Sequence, residues 1–125
     1  MKNRMIVYHG TGRYNLDGLL KSKPRCAPRH YLKGKEAFST TEDIEIAKLF
    51  AFRKSPPAAL HDDRQLGVVL EYEVKETSTK GKDWAPAREP GVLQDEKEVA
   101  VMNPAVLKLK AVWHMRSGDW AREAV

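Results

Sequence analysis

The run Gly67–Val74 limits the fold more than any other part of the chain. Val68, Leu70, Tyr72 and Val74 alternate with Val69, Glu71 and Glu73. A period of two belongs to a half-buried strand, because successive side chains leave a strand on opposite faces. Such a strand needs partners, and the sequence offers several. Met5-Ile6-Val7-Tyr8 is a short apolar run closed by His9-Gly10-Thr11-Gly12, and Ala37–Thr40 is a brief extended segment. Glu98–Met102 reads as another strand. Val106–Met115 reads as a last one, with Leu107, Leu109, Ala111 and Trp113 on one face.

Helices are few and short. Asn15–Leu20 places Leu16, Leu19 and Leu20 at helical spacing behind an Asn that can cap. Thr41-Glu42-Asp43 supplies a hydroxyl cap and first-turn acids for a second helix. Ile44, Ala47, Phe50 and Ala51 would form its apolar face, and it must end before Ser55-Pro56-Pro57. Lys75–Gln94 reads as a long polar loop around Trp84, a length more often functional than idle. The Trp84 ring could grip a target or fold back on the core. Arg116–Val125 reads as a short helix or a frayed tail. The order of elements gives an α+β fold dominated by antiparallel sheet, with residues 1–125 forming a single domain.

Charge and cysteine content narrow the setting. The formal net charge of +5 suits an anionic partner without requiring one. The single cysteine, Cys26, excludes an internal disulfide and a Cys-only zinc site, and no His/Asn context marks it as a nucleophile. Met1–Val7 is too short for the apolar core of a signal peptide, and no stretch reaches the roughly 20 apolar residues of a membrane span. The expectation is a cytoplasmic monomer that does not enter membranes. His61-Asp62-Asp63 is rejected as a metal site, because adjacent side chains on an extended chain diverge.

Three fragments at strand ends carry chemistry: Tyr8-His9-Gly10-Thr11, Phe38-Ser39-Thr40-Thr41 and Glu96-Lys97-Glu98-Val99. Taken singly, each has an ordinary reading as a strand end, a helix cap or a solvated face. Together, their order and spacing resemble the ADP-ribosyltransferase superfamily, over roughly Met5–Met115. The first is similar to the His-Gly-Thr or His-Gly-Ser of the poly(ADP-ribose)-polymerase-like branch. The second and third resemble the Ser-Thr-Ser and Glu-x-Glu of the toxin-like branch. The set is a hybrid of branches, which leaves the subfamily open.

The resemblance implies a split antiparallel sheet with a few short helices, and NAD as co-substrate with no metal. It also implies transfer of ADP-ribose to a macromolecule, as a bacterial or phage effector or toxin would do. Glu98 would stabilise the oxocarbenium-like ribose, and Glu96 would orient or deprotonate the acceptor. Gly10 would hold the nicotinamide carboxamide through its backbone, with His9 and Thr11 at the adenine-side ribose. Ser39 would touch the carboxamide or orient Glu98, and Thr40 would stand beside it in a more structural role. Gln94-Asp95-Glu96 allows a displaced reading with Glu96 as the catalytic carboxylate. Glu98 is preferred because Val99-Ala100-Val101 is the strand it should open.

The basic stretch Lys21–Lys35 is a solvated loop, a diphosphate clamp or a docking patch, with Arg29 and Arg13 as the phosphate candidates. The acceptor that the resemblance implies is a protein, with arginine as the candidate side chain, in preference to a nucleic acid, and an antitoxin or host protein is the candidate partner. Two other readings remain. One is an NAD-dependent RNA 2′-phosphotransferase-like enzyme. The other is a basic nucleic-acid-binding domain without catalysis, against which stands the lack of aromatics within the basic run.

Overall fold

Strand β4 (Val68–Val74) lies inside a single antiparallel sheet and organises it. The structure is a computed structural model that describes residues 5–28, 36–86 and 97–125. In chain order the other elements are β1 (Met5–Thr11), α1 (Leu16–Lys21), β2 (Ala27–Pro28), β3 (Glu36–Thr41), α2 (Ile44–Arg53), β5 (Trp84–Pro86), β6 (Glu98–Val101), β7 (Leu107–Arg116) and β8 (Asp119–Ala124). The sheet runs β5-β6-β3-β1-β4-β7-β8, and β2 pairs with β3 beside this path. The architecture is α+β with an antiparallel sheet and two short α-helices. Among the described residues no helix is long and apolar enough to cross a membrane.

The alternation in β4 divides the sheet into two faces. Val68, Leu70, Tyr72 and Val74 join Val7, Phe38, Val99, Val101 and Leu107 in the larger core, against which Leu16, Leu19 and Trp84 pack. Val69 faces the other way, into a smaller cluster with Ala47 and Ala51 of α2. Glu71 shares that second face yet is only 7% exposed. Burial of a carboxylate needs compensating donors. Arg122 of β8 supplies two, from Nε to Oε1 at 3.2 Å and from Nη2 to Oε2 at 2.8 Å, and Trp113 Nε1 donates to Oε1 at 3.0 Å. The strand is thus buried on both faces instead of half-buried.

Several expectations are corrected here. Leu107, Leu109, Ala111 and Trp113 do not share a face. Glu71 pairs with Ala111 but Tyr72 with Leu109, so Lys110 is an extra residue in β7. A bulge of one residue inverts every side chain beyond it. Leu107 and Leu109 therefore serve the large core, while Trp113 packs in the cluster under α2. Arg116–Val125 is neither helix nor tail, since β8 pairs along β7 from Arg116↔Asp119 to Ala111↔Ala124. Ser117 and Gly118, at φ +51° and +85°, make the two-residue turn whose twist suits a hairpin.

Part of the expected long loop is sheet as well, for Trp84–Pro86 is an edge strand paired with β6. The Trp84 ring packs on the core and its Nε1 donates to Ser78 Oγ at 3.1 Å, so it is not a free gripping aromatic. Asn15 does not cap α1 with its side chain. Its Nδ2 donates to Thr11 Oγ1 at 3.0 Å, and Leu20 is exposed. The cap of α2 is Asp43, which accepts the Glu45 N–H at 3.0 Å. Thr41 is the last residue of β3, and its hydroxyl accepts the Asp43 N–H at 3.1 Å.

Helix α2 lies directly on the sheet at two glycines. A Cβ on Gly10 would stand 1.8 Å from the Ala47 carbonyl oxygen, and one on Gly67 would stand 2.5 Å from that of Ala51. No rotamer change relieves a clash with backbone, so Gly10→Ala must push α2 off the sheet. The expected cost is about 3 kcal/mol, a fall in Tm of about 10 °C on thermal denaturation.

Glu71 generates a second prediction. The hydrogen bonds from Arg122, with help from Trp113, hold its carboxyl below the ordinary carboxylate range against the opposing effect of burial. A depressed folded-state pKa stabilises the fold above the unfolded value and loses that stabilisation as pH falls through the folded one. Glu71→Gln should therefore lower Tm most near pH 7, and the gap to the unaltered protein should narrow below about pH 4.5.

Candidate functional site

Strands β1 and β3 run side by side for one pair only, Tyr8↔Thr41, and then part. On their other sides both remain laddered, β1 to β4 and β3 to β6. The gap is bridged by a side chain. His9 Nδ1 stands 2.7 Å from the Ser39 carbonyl oxygen, and since a carbonyl only accepts, Nδ1 carries the proton. In the neutral ring Nε2 is then the acceptor nitrogen. Phe38 holds the imidazole from the large core, with ring centroids 4.2 Å apart.

A cavity of about 170 Å³ opens in this gap, on the face that carries α2. Tyr8, His9, Gly10, Ser39, Thr40, Thr41 and Glu98 line it, and α2 closes it with Phe50 and, just beyond its end, Lys54. Glu98 opens β6 opposite Thr41, and its register puts it on the same face as Ser39. It is 9% exposed and accepts a short hydrogen bond from Ser39 Oγ on Oε1. Ser39 is thus in contact with Glu98, which one of the two roles expected for it requires. A buried carboxylate lining a small concave site can oppose a positive charge formed there.

A second cavity of about 440 Å³ adjoins the first, sharing His9 and Lys54 with it. Thr11, Asn15, Leu19, Phe38, Lys23 and Arg25 are among its other walls. Among the described residues three cations therefore border this groove of two neighbouring cavities, the smaller of which is lined by Glu98. Lys23 also fixes the groove wall, donating from Nζ to the Leu107 carbonyl at 2.7 Å. Lys54 and Phe50 were not singled out as site residues in the sequence. Phe50 carried only the signal of an apolar helix face, and Lys54 only that of a cation near a helix C-terminus.

The remaining site expectations divide. The hydroxyls of Thr11 and Thr40 are engaged within the protein. Thr11 is buried and accepts from Asn15, while Thr40 Oγ1 donates to the Val99 carbonyl at 2.8 Å. Gly10 lines the cavity, but its missing side chain is explained by the approach of α2 rather than by a flat ligand. Arg13 is not in the groove. Its Nε donates to the Leu66 carbonyl at 3.1 Å, and it lines a different concavity. Glu96 and Arg29 lie outside the described residues. Lys97, the first described residue before Glu98, sits at φ +47°. Cys26 Sγ stands 3.6 Å from the Val101 carbonyl, away from the Glu98 cavity. Asp62 engages Arg64, and no three metal-ligating side chains group together among the described residues.

Compared with protein-family models, curated proteins and solved structures, the chain matches none of them. The geometry of the site nonetheless yields a test of its own. Ser39 and Glu98 share one hydrogen bond, so their substitutions should not add. Ser39→Ala and Glu98→Gln, separately and together, should show a coupling energy of about 1–2 kcal/mol in denaturant unfolding.

Proposed function

We propose that the groove binds NAD and that the protein transfers ADP-ribose from it to a macromolecular acceptor. The observation that carries this reading is the convergence of three separated fragments on one cavity. His9 and Gly10 come from the end of β1, Ser39 from β3 and Glu98 from β6. His9 bonds to Ser39, and Ser39 to Glu98. β1, β3 and β6 are neighbours in the sheet, and their order sets a histidine, a serine and a buried carboxylate around one cleft. On this reading, the parting of β1 from β3 is the split of an ADP-ribosyltransferase-like sheet.

The chemistry follows from the charges. The bond between the ribose carbon and the pyridinium nitrogen breaks with its electron pair leaving on nicotinamide, which departs neutral. The ribose is left oxocarbenium-like, and the Glu98 carboxylate beside it, held by Ser39, opposes that developing charge. The acceptor's nucleophilic atom then bonds to the ribose carbon and releases its proton to a base. Nicotinamide would lie at β1 beyond Tyr8, where the backbone of Gly10 is no longer laddered to β3. The diphosphate would lie along the second cavity beside Lys54, Lys23 and Arg25. His9 Nε2 is suited to accept from a ribose hydroxyl. Most of the net charge of +5 is not needed by one dinucleotide.

Incubation with NAD labelled on the adenylate, with and without cell lysate, tests the reading. The expected result is nicotinamide release and label transfer by the unaltered protein, both reduced about 100-fold or more in Glu98→Gln, with NAD affinity changed much less. Undiminished turnover by Glu98→Gln would remove Glu98 from the mechanism. No NAD binding, with salt-sensitive binding of RNA or DNA instead, would replace the enzyme with a nucleic-acid-binding domain.

A further inference from the structure

At the end of the sheet where β1 and β7 finish, a separate concavity of about 260 Å³ takes no part in the proposed activity. Arg13, Arg64, His114, Met115, Arg116 and Ser117 line it. Its polar groups come from distant parts of the chain: the turn after β1, the turn before β4, and the β7–β8 hairpin. None of the lining residues is acidic. Asp62 binds Arg64 through Nε and Nη2 at 3.0 and 3.1 Å, and Glu123 binds Arg116 and stands 3.5 Å from His114 Nε2, but neither carboxylate lines the cavity. Arg13 donates to the Leu66 carbonyl and makes no ion pair among the described residues. The hollow thus offers three guanidiniums, of which Arg13 alone has no carboxylate partner among the described residues, with a hydroxyl and an imidazole, and no acidic residue lines it.

We propose that this concavity is a phosphate-binding site, for a phosphate group carried by a small molecule or by a polynucleotide backbone. Planar guanidiniums from several directions match the oxygens of a tetrahedral oxyanion, and His114 forms part of the wall with its side chain only 15% exposed. Burial first, then Arg13 and Arg116, hold the imidazole below its ordinary range, with Glu123 opposing. An occupying anion would reverse that balance and raise it. Next to Arg13, the Tyr14 ring is 79% exposed, a surface on which a base could stack beside a bound backbone phosphate. The site rests on no part of the NAD reading.

The test follows the His114 ring by NMR during titration with inorganic phosphate, in the unaltered protein, in Arg13→Ala and in Arg64→Glu. Arg64 is highly exposed, so its replacement does not threaten the fold. The expected result is a saturable shift of the His114 resonances at millimolar phosphate, weakened about 10-fold or more in both variants. No saturable shift, or equal binding in the unaltered protein and both variants, would overturn the site. A fluorescent single-stranded oligonucleotide separates the sources. Binding much tighter than that of phosphate, salt-sensitive and weakened by both Arg64→Glu and Tyr14→Ala, assigns the site to a polynucleotide. Phosphate binding without that gain assigns it to a small phosphorylated ligand. NAD turnover measured in Arg64→Glu should stay unchanged, so loss of phosphate binding and loss of the transferase reading are seen separately.

Discussion

The contact on which this structure depends is backbone against backbone. Helix α2 presses the carbonyls of Ala47 and Ala51 into places that a side chain on Gly10 or Gly67 would fill. Alanine on the helix, with glycine within β1 and just before β4, removes the side-chain atoms that would hold the two layers apart, so the helix settles onto β1 and β4 at a fixed depth. Because α2 follows β3 after only Glu42 and Asp43, that depth also sets how β3 approaches β1. Its C-terminal end brings Phe50 and Lys54 over the gap between those strands. The site is thus a by-product of close packing beside it.

Buried carboxylates of different kinds flank that interface. Glu71 is neutralised structurally, with Arg122 and Trp113 clasping it from the C-terminal hairpin. The clasp ties β8 and β7 to the middle of the sheet and keeps the charge from acting on anything else. Glu98 takes a hydrogen bond from a hydroxyl and faces a cavity. The Ser39 hydroxyl that bonds Glu98 carries no charge of its own, unlike the Arg122 guanidinium on Glu71. The same residue type thus staples the fold in one place and lines a cavity in another.

Much of the core was legible because burial follows the alternation of side chains. Val68, Leu70, Tyr72 and Val74 lie together in the large core, as their spacing requires. His9, Ser39 and Glu98 could be singled out because each closes or opens an apolar run, where a polar residue has some other reason to be present. What spacing could not express was a change of phase. One extra residue at Lys110 sends Trp113 to the opposite face from Leu107 and Leu109. The β8 strand was missed for a related reason. Its tie to the sheet comes from Glu71, 51 residues from Arg122, and little in Asp119–Ala124 shows it locally.

By itself, the sequence determined which residues must be buried, where strands and helices interrupt one another, and which polar side chains stand at strand ends, since these follow from local spacing and chain stiffness. Only the tertiary structure decided which strand ends meet. It brought Ser39 to Glu98 across 59 residues and made Lys54 a neighbour of His9. It also moved Arg13 out of the groove and into a separate basic hollow with His114 and Arg116. Such pairings depend on strand order and on how closely a helix can approach a sheet. Those are properties of the packed whole, to which no single segment of the chain has access.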